Sequence, residues 1–559
     1  MIPHKYFYAV IGGCIITYIT GMFCIPLMDI DASQYASISR EMLERNSYLQ
    51  VFDLGKDYLD KPPMLFWLSA ISMKVLGVYD WAYRLPSFFL LLAAIYATYR
   101  LTLLFYQKEI AQLSVMVLAS SQAVFLMAHD VRTDTMLMGW VMLSIWQLAE
   151  WFKFNRWKNC ILGFVFIACG MMTKGPIALM VPSFAFASHF IAQRNWKHFF
   201  RWEYLIGILI IAIMLIPMSI GLYQQYDLQP GKLINNVPIK SGLRFYYWTQ
   251  SFGRYTGENV YHEMSYFTFL FENMLWSFLP WIVFFLIGLF FSFKELIQQK
   301  FKLSNNQEFI STGSFVLTYC ILAKSQAQLP HYIFVVFPLA AITTARILYS
   351  LFFTDQLIKW RKPLVLFHII IFTLIWLVII GLMWFPFKEI PIIVPLLTIC
   401  GFIFFVWSLV FKKWGVPSII HSAFFTIIGV NIFLNIVFYP NLLKYQMGND
   451  AAEFINSQKL NKNTVFQYGF SNSNALHFYG KHVFDNISNA KDLNGTQIII
   501  TNKDSSSVIN RLFPQSKIIH EGNHFAVSLL TAIFLNPATR NTEMPKYVII
   551  DLDGKPSIP

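Results

Sequence analysis

Aspartate, glutamate, lysine and arginine make up only 13% of this 559-residue chain, so the places where they gather are informative. Asp29 and Asp31 follow the first apolar run. Asp60-Lys61 stand before Pro62-Pro63, and Asp130, Arg132 and Asp134 lie within five residues. Further on come Lys174 in TKGP, Arg254 in FGRYTGE, His262 in VYHE, and Lys324 in KSQAQLPHY, with Tyr332 at its end. Carboxylates in such sets can deprotonate or orient a nucleophile or hold a divalent cation, and lysine and arginine bind phosphate.

What has to position these groups is a membrane. The chain is 56% hydrophobic and 18% aromatic, more apolar surface than a soluble protein of this size could hide. That excludes a soluble enzyme and a disordered chain. The formal net charge of +13 does not imply a nucleic-acid partner, because lysine and arginine on so apolar a chain belong to cytoplasmic loops. The six cysteines all lie in apolar stretches at irregular spacing, which argues against a disulfide framework or a cysteine-ligated metal.

Spans of about 20 apolar residues are expected near 6–28, 83–106, 109–127, 134–152, 158–173, 175–193, 203–222, 273–293, 308–323, 330–352, 363–385, 390–411 and 417–440, thirteen in all. The basic segments at 152–158, 193–201, 294–302, 359–362 and 412–414 then all face the cytoplasm, as does the N-terminus. The run at 62–78 opens with two prolines and contains Lys74; it reads as an interfacial or re-entrant helix on the outer face. By this parity 29–82, 128–134, 223–272, 324–331 and 441–559 lie outside the cytoplasm, and every acid and base named above falls on one face. Charge at a membrane boundary is costly unless paired or wet, so the pattern points to a water-filled outer cleft.

Residues 33–45 have the spacing of an amphipathic helix on the membrane surface, with Asp31 also suited to capping it. The tail 441–559 carries 11 Lys and Arg against 9 Asp and Glu. A helix-like DAAEFINSQ and strand-like VFQYGF, QIIIT, SKIIHE and FAVSLL make it a small periplasmic α/β domain of about 110 residues.

DASQYASISREM, DKPPMLFWL, RTDTMLM, MMTKGPIALMVP, FGRYTGENVYHE and KSQAQLPHYIFVVFPLAA occur in the order found in bacterial membrane glycosyltransferases of the GT-C fold. Over roughly residues 1–345 the chain resembles the branch that contains lipid A 4-amino-4-deoxy-L-arabinose transferases and relatives of protein O-mannosyltransferases. The resemblance implies a polytopic α-helical inner-membrane enzyme that moves a sugar from a polyprenyl-phosphate donor to a lipid A, lipopolysaccharide-type or other cell-envelope acceptor on the periplasmic face, with inversion. It implies catalytic roles for Asp31 and Asp134, places Asp60-Lys61 and Tyr332 in the family's motifs, and implies a divalent metal ion held by Asp60 and His262. A phosphate leaving group needs its developing charge stabilised, which suits Lys61, with help from Arg254 and Tyr332, to the donor phosphate, Asp134 to orienting Lys61 or the sugar, and Lys174 to an acceptor phosphate. Membrane lipids are further partners; nucleic acid is not.

Where the aminoarabinose transferases have Asp-Glu-Thr-Arg-Tyr, this chain has Asp31-Ala32-Ser33-Gln34-Tyr35, and Asp60 replaces the usual glutamate before Lys-Pro. These departures bear on the sugar, the acceptor and the metal. Two other functions compete: protein O-glycosylation, and a polytopic lipid transporter or flippase. A transporter places ionisable groups at the midplane of repeated halves. Here the acids sit at outer helix ends, and no repeat is visible.

Overall fold

The computed structural model describes residues 2–552 apart from 230, 235–236, 257, 259–265, 305, 388–389, 411–416, 470–472, 528 and 543. The first part is helical: α1 His4–Cys24, α2 Asp31–Glu44, α3 Met64–Leu76, α4 Asp80–Phe105, α5 Lys108–Ala119, α6 Gln122–His129, α7 Thr133–Phe154, α8 Trp157–Lys174, α9 Ile177–Gln193 and α10 Glu203–Leu222. Short helices α11 Gly242–Arg244 and α12 Gly253–Thr256 follow. Then come α13 Phe269–Ser277, α14 Ile282–Gln298, α15 Ile310–Ala323, a 3₁₀ segment Pro330–Val336, α16 Phe337–Phe352, α17 Ile358–Trp384, α18 Ile393–Val410, α19 Ser418–Phe433 and α20 Tyr439–Leu443. Two small hairpins, β1 Phe52–Asp53 with β2 Lys56–Asp57 and β3 Leu233–Ile234 with β4 Val237–Pro238, lie in the long loops.

Six helical stretches among the described residues are long and apolar enough to cross a membrane, seven if α5 and α6 form one bent span. The runs expected as single spans at 109–127 and 273–293 are each broken. A bend of 56° separates α5 from α6, and Pro280, which has no N–H to donate, interrupts α13 and α14. The two breaks serve each other: Gln122 N donates to Leu279 O at 3.0 Å and Trp281 Nε1 donates to Ser120 Oγ at 2.8 Å. Backbone groups freed inside an apolar layer need such partners. The α3 helix has 13 residues, about 20 Å at 1.5 Å per residue and so shorter than a bilayer's apolar core.

The surface helix expected at 33–45 is instead covered. Residues Ala32 to Met42 of α2 are buried except Gln34, with Tyr35, Ile38 and Met42 in one apolar cluster with Leu65 and Phe66 of α3 and with Phe478. Its buried charges are paired along the helix: Arg40 with Glu44 and Glu41 with Arg45, each at 2.6 Å. Asp31 is the first residue of α2, not its cap, which is Ile30.

Residues 447–551 form a sheet in the order β6-β5-β7-β9-β8, from β5 Val465–Tyr468, β6 Asn486–Ile487, β7 Ile498–Asn502, β8 Lys517–Asn523 and β9 Lys546–Asp551. Strands β6, β5 and β7 are parallel, whereas β9 runs antiparallel to both neighbours. The segment also contains α21 Met447–Ser457, α22 Asn474–Gly480, α23 Lys503–Leu512 and α24 Ala532–Leu535. FAVSLL is not a strand: Phe525 and Val527 join the apolar core of the helical part, with Phe525 stacked 3.8 Å from Phe534. The inner strand β9 is KYVIID, four buried apolar residues that the strand-like runs read from the sequence did not include.

Candidate active site

Three anchors set the long loop between α1 and α4. Arg84 of α4, fully buried, donates to Met22 O and Ile25 O at 2.7 Å and to Pro26 O at 3.2 Å, collecting the carbonyls left over where α1 ends. Gln225 accepts from Val51 N at 3.0 Å and donates to Val51 O at 2.8 Å and to Asp57 Oδ1 at 2.8 Å. Gly221 is needed where α10 passes the loop, because a Cβ there would lie 2.1 Å from Leu49 O.

The third anchor comes from the C-terminal segment. Asp29 accepts from Ser33 Oγ at 2.5 Å, Ser473 Oγ at 2.6 Å and Ala475 N at 3.0 Å. Burial pushes its carboxyl above the usual range, against the pull of these donors. Gln446 takes the Asp29 N–H and donates to Leu27 O, while Leu27 N donates to Tyr479 Oη at 2.7 Å. The start of α2, and Asp31 with it, is thereby fastened to the segment that carries the sheet.

Two lysines, each with its own acid, face one cavity of about 120 Å³. Lys61 Nζ meets Asp60 Oδ2 at 2.5 Å, and Lys174 Nζ meets Asp134 Oδ1 at 2.5 Å. Burial alone would depress the Lys61 ammonium; Tyr35, Asp60 and Tyr332 overcome that and hold it above the ordinary lysine range. Gln250 Nε2 donates to Asp60 Oδ1 at 2.8 Å, and Lys174 lies 4.2 Å over the Tyr332 ring. The remaining wall includes Leu137, Met180, Phe245, Phe252, Ile321 and Leu322. Fixed ammonium groups within an apolar wall suit a phosphate on a hydrocarbon chain.

A second, polar cavity of about 1010 Å³ is bounded by 52–60, by Lys232–Ile234 and by Val483–Asn486 of the C-terminal segment. Leu59 and Asp60 line both cavities. Asp31 lines neither: Arg132 Nη1 holds its Oδ2 at 2.5 Å and reaches Asp130 Oδ2 through Nε at 3.0 Å. Arg132 and Asp134, two residues apart, therefore meet different partners, and the carboxylate of Asp134 goes to Lys174 rather than to Lys61. Lys174, expected at an acceptor phosphate, shares a cavity with Lys61 and Tyr332.

Arg254 lies in α12 with its side chain outside the described residues, and His262 is itself outside them. Among the described residues no three histidine, cysteine or acidic side chains gather as a metal site. The sequence reading missed His331, which stands between Arg132 and Asp134, and Gln250. The signal for His331 was its place next to Tyr332 in LPHY.

The fold and these residues can be set beside known proteins. Residues 60–220 match a family described as dolichyl-phosphate-mannose-protein mannosyltransferase. The undecaprenyl phosphate-alpha-4-amino-4-deoxy-L-arabinose arabinosyl transferase of Wigglesworthia glossinidia brevipalpis is 24% identical over 504 residues, 85% of each chain. The protein of that name from Serratia proteamaculans (strain 568) is 25% identical, with the match spanning 47% of its length. The crystal structure of ArnT from Cupriavidus metallidurans bound to undecaprenyl phosphate superposes with a TM-score of 0.75 at 15% identity, covering 98% of this chain and 99% of that one.

The chain is thus a multi-pass membrane glycosyltransferase, and its fold is that of the GT-C enzymes. Within that class it resembles the aminoarabinose transferases.

Proposed function

We propose that the protein transfers a sugar from a polyprenyl-phosphate donor to a lipid A, lipopolysaccharide-type or other cell-envelope acceptor at the periplasmic face of the bacterial inner membrane, with inversion. The observation that carries this reading is the pair of lysines, Lys61 and Lys174, with Tyr332 in one apolar-walled cavity. The undecaprenyl phosphate bound by the similar ArnT from Cupriavidus metallidurans supports the same donor class.

In this mechanism the acceptor oxygen attacks the anomeric carbon, the bond from that carbon to the phosphate oxygen breaks, and its electron pair leaves with the phosphate. Lys61 and Lys174 stabilise the charge that develops there. Asp134 orients Lys174, and Asp31, held by Arg132, orients the acceptor and takes its proton. Asp60 stands where the polar cavity meets the donor cavity, so an acceptor entering through the polar cavity approaches the donor at that point. In this reading the chain has thirteen spans and a cytoplasmic N-terminus, and 441–559 is a periplasmic α/β domain forming one wall of the acceptor path. A second reading, transfer to protein, draws on the family description matched by residues 60–220.

Purified protein and Asp31→Asn are incubated with a panel of undecaprenyl-phosphate sugars, aminoarabinose included, and with membrane lipid extract or envelope protein. Products are read by mass spectrometry. Transfer to lipid by the wild type, lost in Asp31→Asn, is expected. Transfer only to protein favours the second reading. Full activity in Asp31→Asn removes Asp31 from the mechanism, and lipid translocation without transfer in both overturns the enzyme.

A further inference from the structure

One imidazole lies between the two ion pairs that hold Asp31 and Asp134. His331, from the 3₁₀ segment before α16, presents Nδ1 to Arg132 Nη1 at 3.4 Å and Nε2 to Asp134 Oδ2 at 3.6 Å. Its side chain is only 12% exposed. A guanidinium is solely a donor, so the ring nitrogen facing it carries the lone pair, and the ring proton sits on Nε2, towards the carboxylate. Oδ1 of Asp134 is taken by Lys174. Oδ2 is buried with no hydrogen bond to a described residue, and His331 Nε2 stands 3.6 Å from it.

We propose that His331 is a positioning residue for the transfer reaction, acting as a neutral spacer that keeps Arg132 on Asp31 and Lys174 on Asp134. This rests on the reading of Asp31 as the group that takes the acceptor's proton and of Lys174, oriented by Asp134, as a cation at the donor phosphate. Arg132 is two residues from Asp134 in the chain and carries the mobile, five-donor end of a long side chain. Remove the ring, and its guanidinium can turn from the one-third exposed Asp31 to the deeply buried Asp134. There it displaces Lys174 from its acid and releases Asp31. Neither catalytic group is deleted, yet both lose their orientation.

The test uses full-length protein in nanodiscs, with His331→Ala and His331→Gln. The alanine variant is expected to lower kcat about 10- to 100-fold with donor KM within about twofold, the signature of orientation lost rather than binding lost. Glutamine offers one acceptor and one donor and is expected to recover most of that loss. Undecaprenyl phosphate binding, followed by calorimetry, stays unchanged in both and reports that each variant is folded. A readout independent of turnover is the ¹⁵N spectrum of histidine-labelled protein. The His331 signal, identified by its loss in His331→Gln, has the Nε2–H tautomer and shifts in Asp134→Asn. An Nδ1–H tautomer, equal loss in the alanine and glutamine variants, or loss of donor binding with kcat overturns the proposal. A wild type that transfers no sugar, with the tautomer and its shift in place, overturns instead the catalytic reading on which the proposal rests.

Discussion

Lys174 at the end of α8 and Asp134 in the first turn of α7, 40 residues apart in sequence, meet at 2.5 Å with the acid only 3% exposed. A buried carboxylate that would be costly alone is neutralised by a lysine whose ammonium also faces the cavity. Breaking such a pair from one side leaves an uncompensated buried charge, a loss of about 3–5 kcal/mol. Lys174→Met is therefore expected to lower the thermal midpoint sharply. Lys174→Met with Asp134→Asn should recover much of it, since both charges are then gone. A double variant no more stable than Lys174→Met shows that the pair is not what the lysine supports.

Asp31→Asn keeps the side-chain shape and one acceptor oxygen for Arg132 but loses the charge. A turnover loss on the order of 100-fold is expected for a residue that accepts a proton in the transition state, with undecaprenyl phosphate binding unaltered because Asp31 lines neither cavity. Calorimetric titration with undecaprenyl phosphate alongside the transfer assay separates the two.

Asp53 in β1 gives a pH signature. Burial raises its carboxyl to about 6, although Gln34 Nε2 donates to it at 2.6 Å. A raised carboxyl binds its proton more tightly folded than unfolded, so its stabilising effect is complete below about pH 4 and lost as pH rises to about 6. Two pH units correspond to on the order of 3 kcal/mol. Asp53→Asn should flatten this part of the stability profile and exceed the wild type in chemical denaturation at pH 8. Parallel profiles for the two proteins would contradict the assignment.

Gly221→Ala tests the seat of the first loop. A methyl group cannot fit 2.1 Å from Leu49 O, and the obstacle is backbone, so α10 or the loop must move. Overpacking of this kind costs about 1–3 kcal/mol. The expected result is a lower melting temperature with a larger drop in turnover than in donor affinity, because the loop carries Asp60 at the junction of both cavities.

The Asp29 latch predicts coupling between the C-terminal segment and the site. Asp29→Ala strands the Ser473 hydroxyl and the Ala475 N–H, a loss of about 1–3 kcal/mol. Limited proteolysis should then cut near residue 473 faster than in the wild type, and turnover should fall although Asp29 touches neither cavity. Unchanged cleavage with unchanged turnover removes the latch from the mechanism.

Much of this protein was legible in the order of its residues. Apolar run length separates membrane helices from loops because a bilayer demands about 20 apolar residues per span, and that arithmetic needs no tertiary information. The scarcity of charge marked Asp31, Lys61, Asp134 and Lys174, since an ion near an apolar layer survives only where something compensates it. Strand β7 was readable from its apolar run. Strand β9 was not recognised, although KYVIID is as apolar: which strand lies inside a sheet depends on pairing with partners far along the chain. The breaks at Ser120 and Pro280 look like ordinary span interiors until the chain brings them together to exchange hydrogen bonds. Which acid meets which base was the decision of the tertiary structure alone. Arg132 and Asp134 are near neighbours in sequence, yet they point to different partners, because α7 starts between them and turns each side chain towards a different helix end. Sequence places a charge at a depth, whereas only packing chooses its counter-ion, since a charge pair depends on a few ångströms of distance that no spacing along a chain encodes.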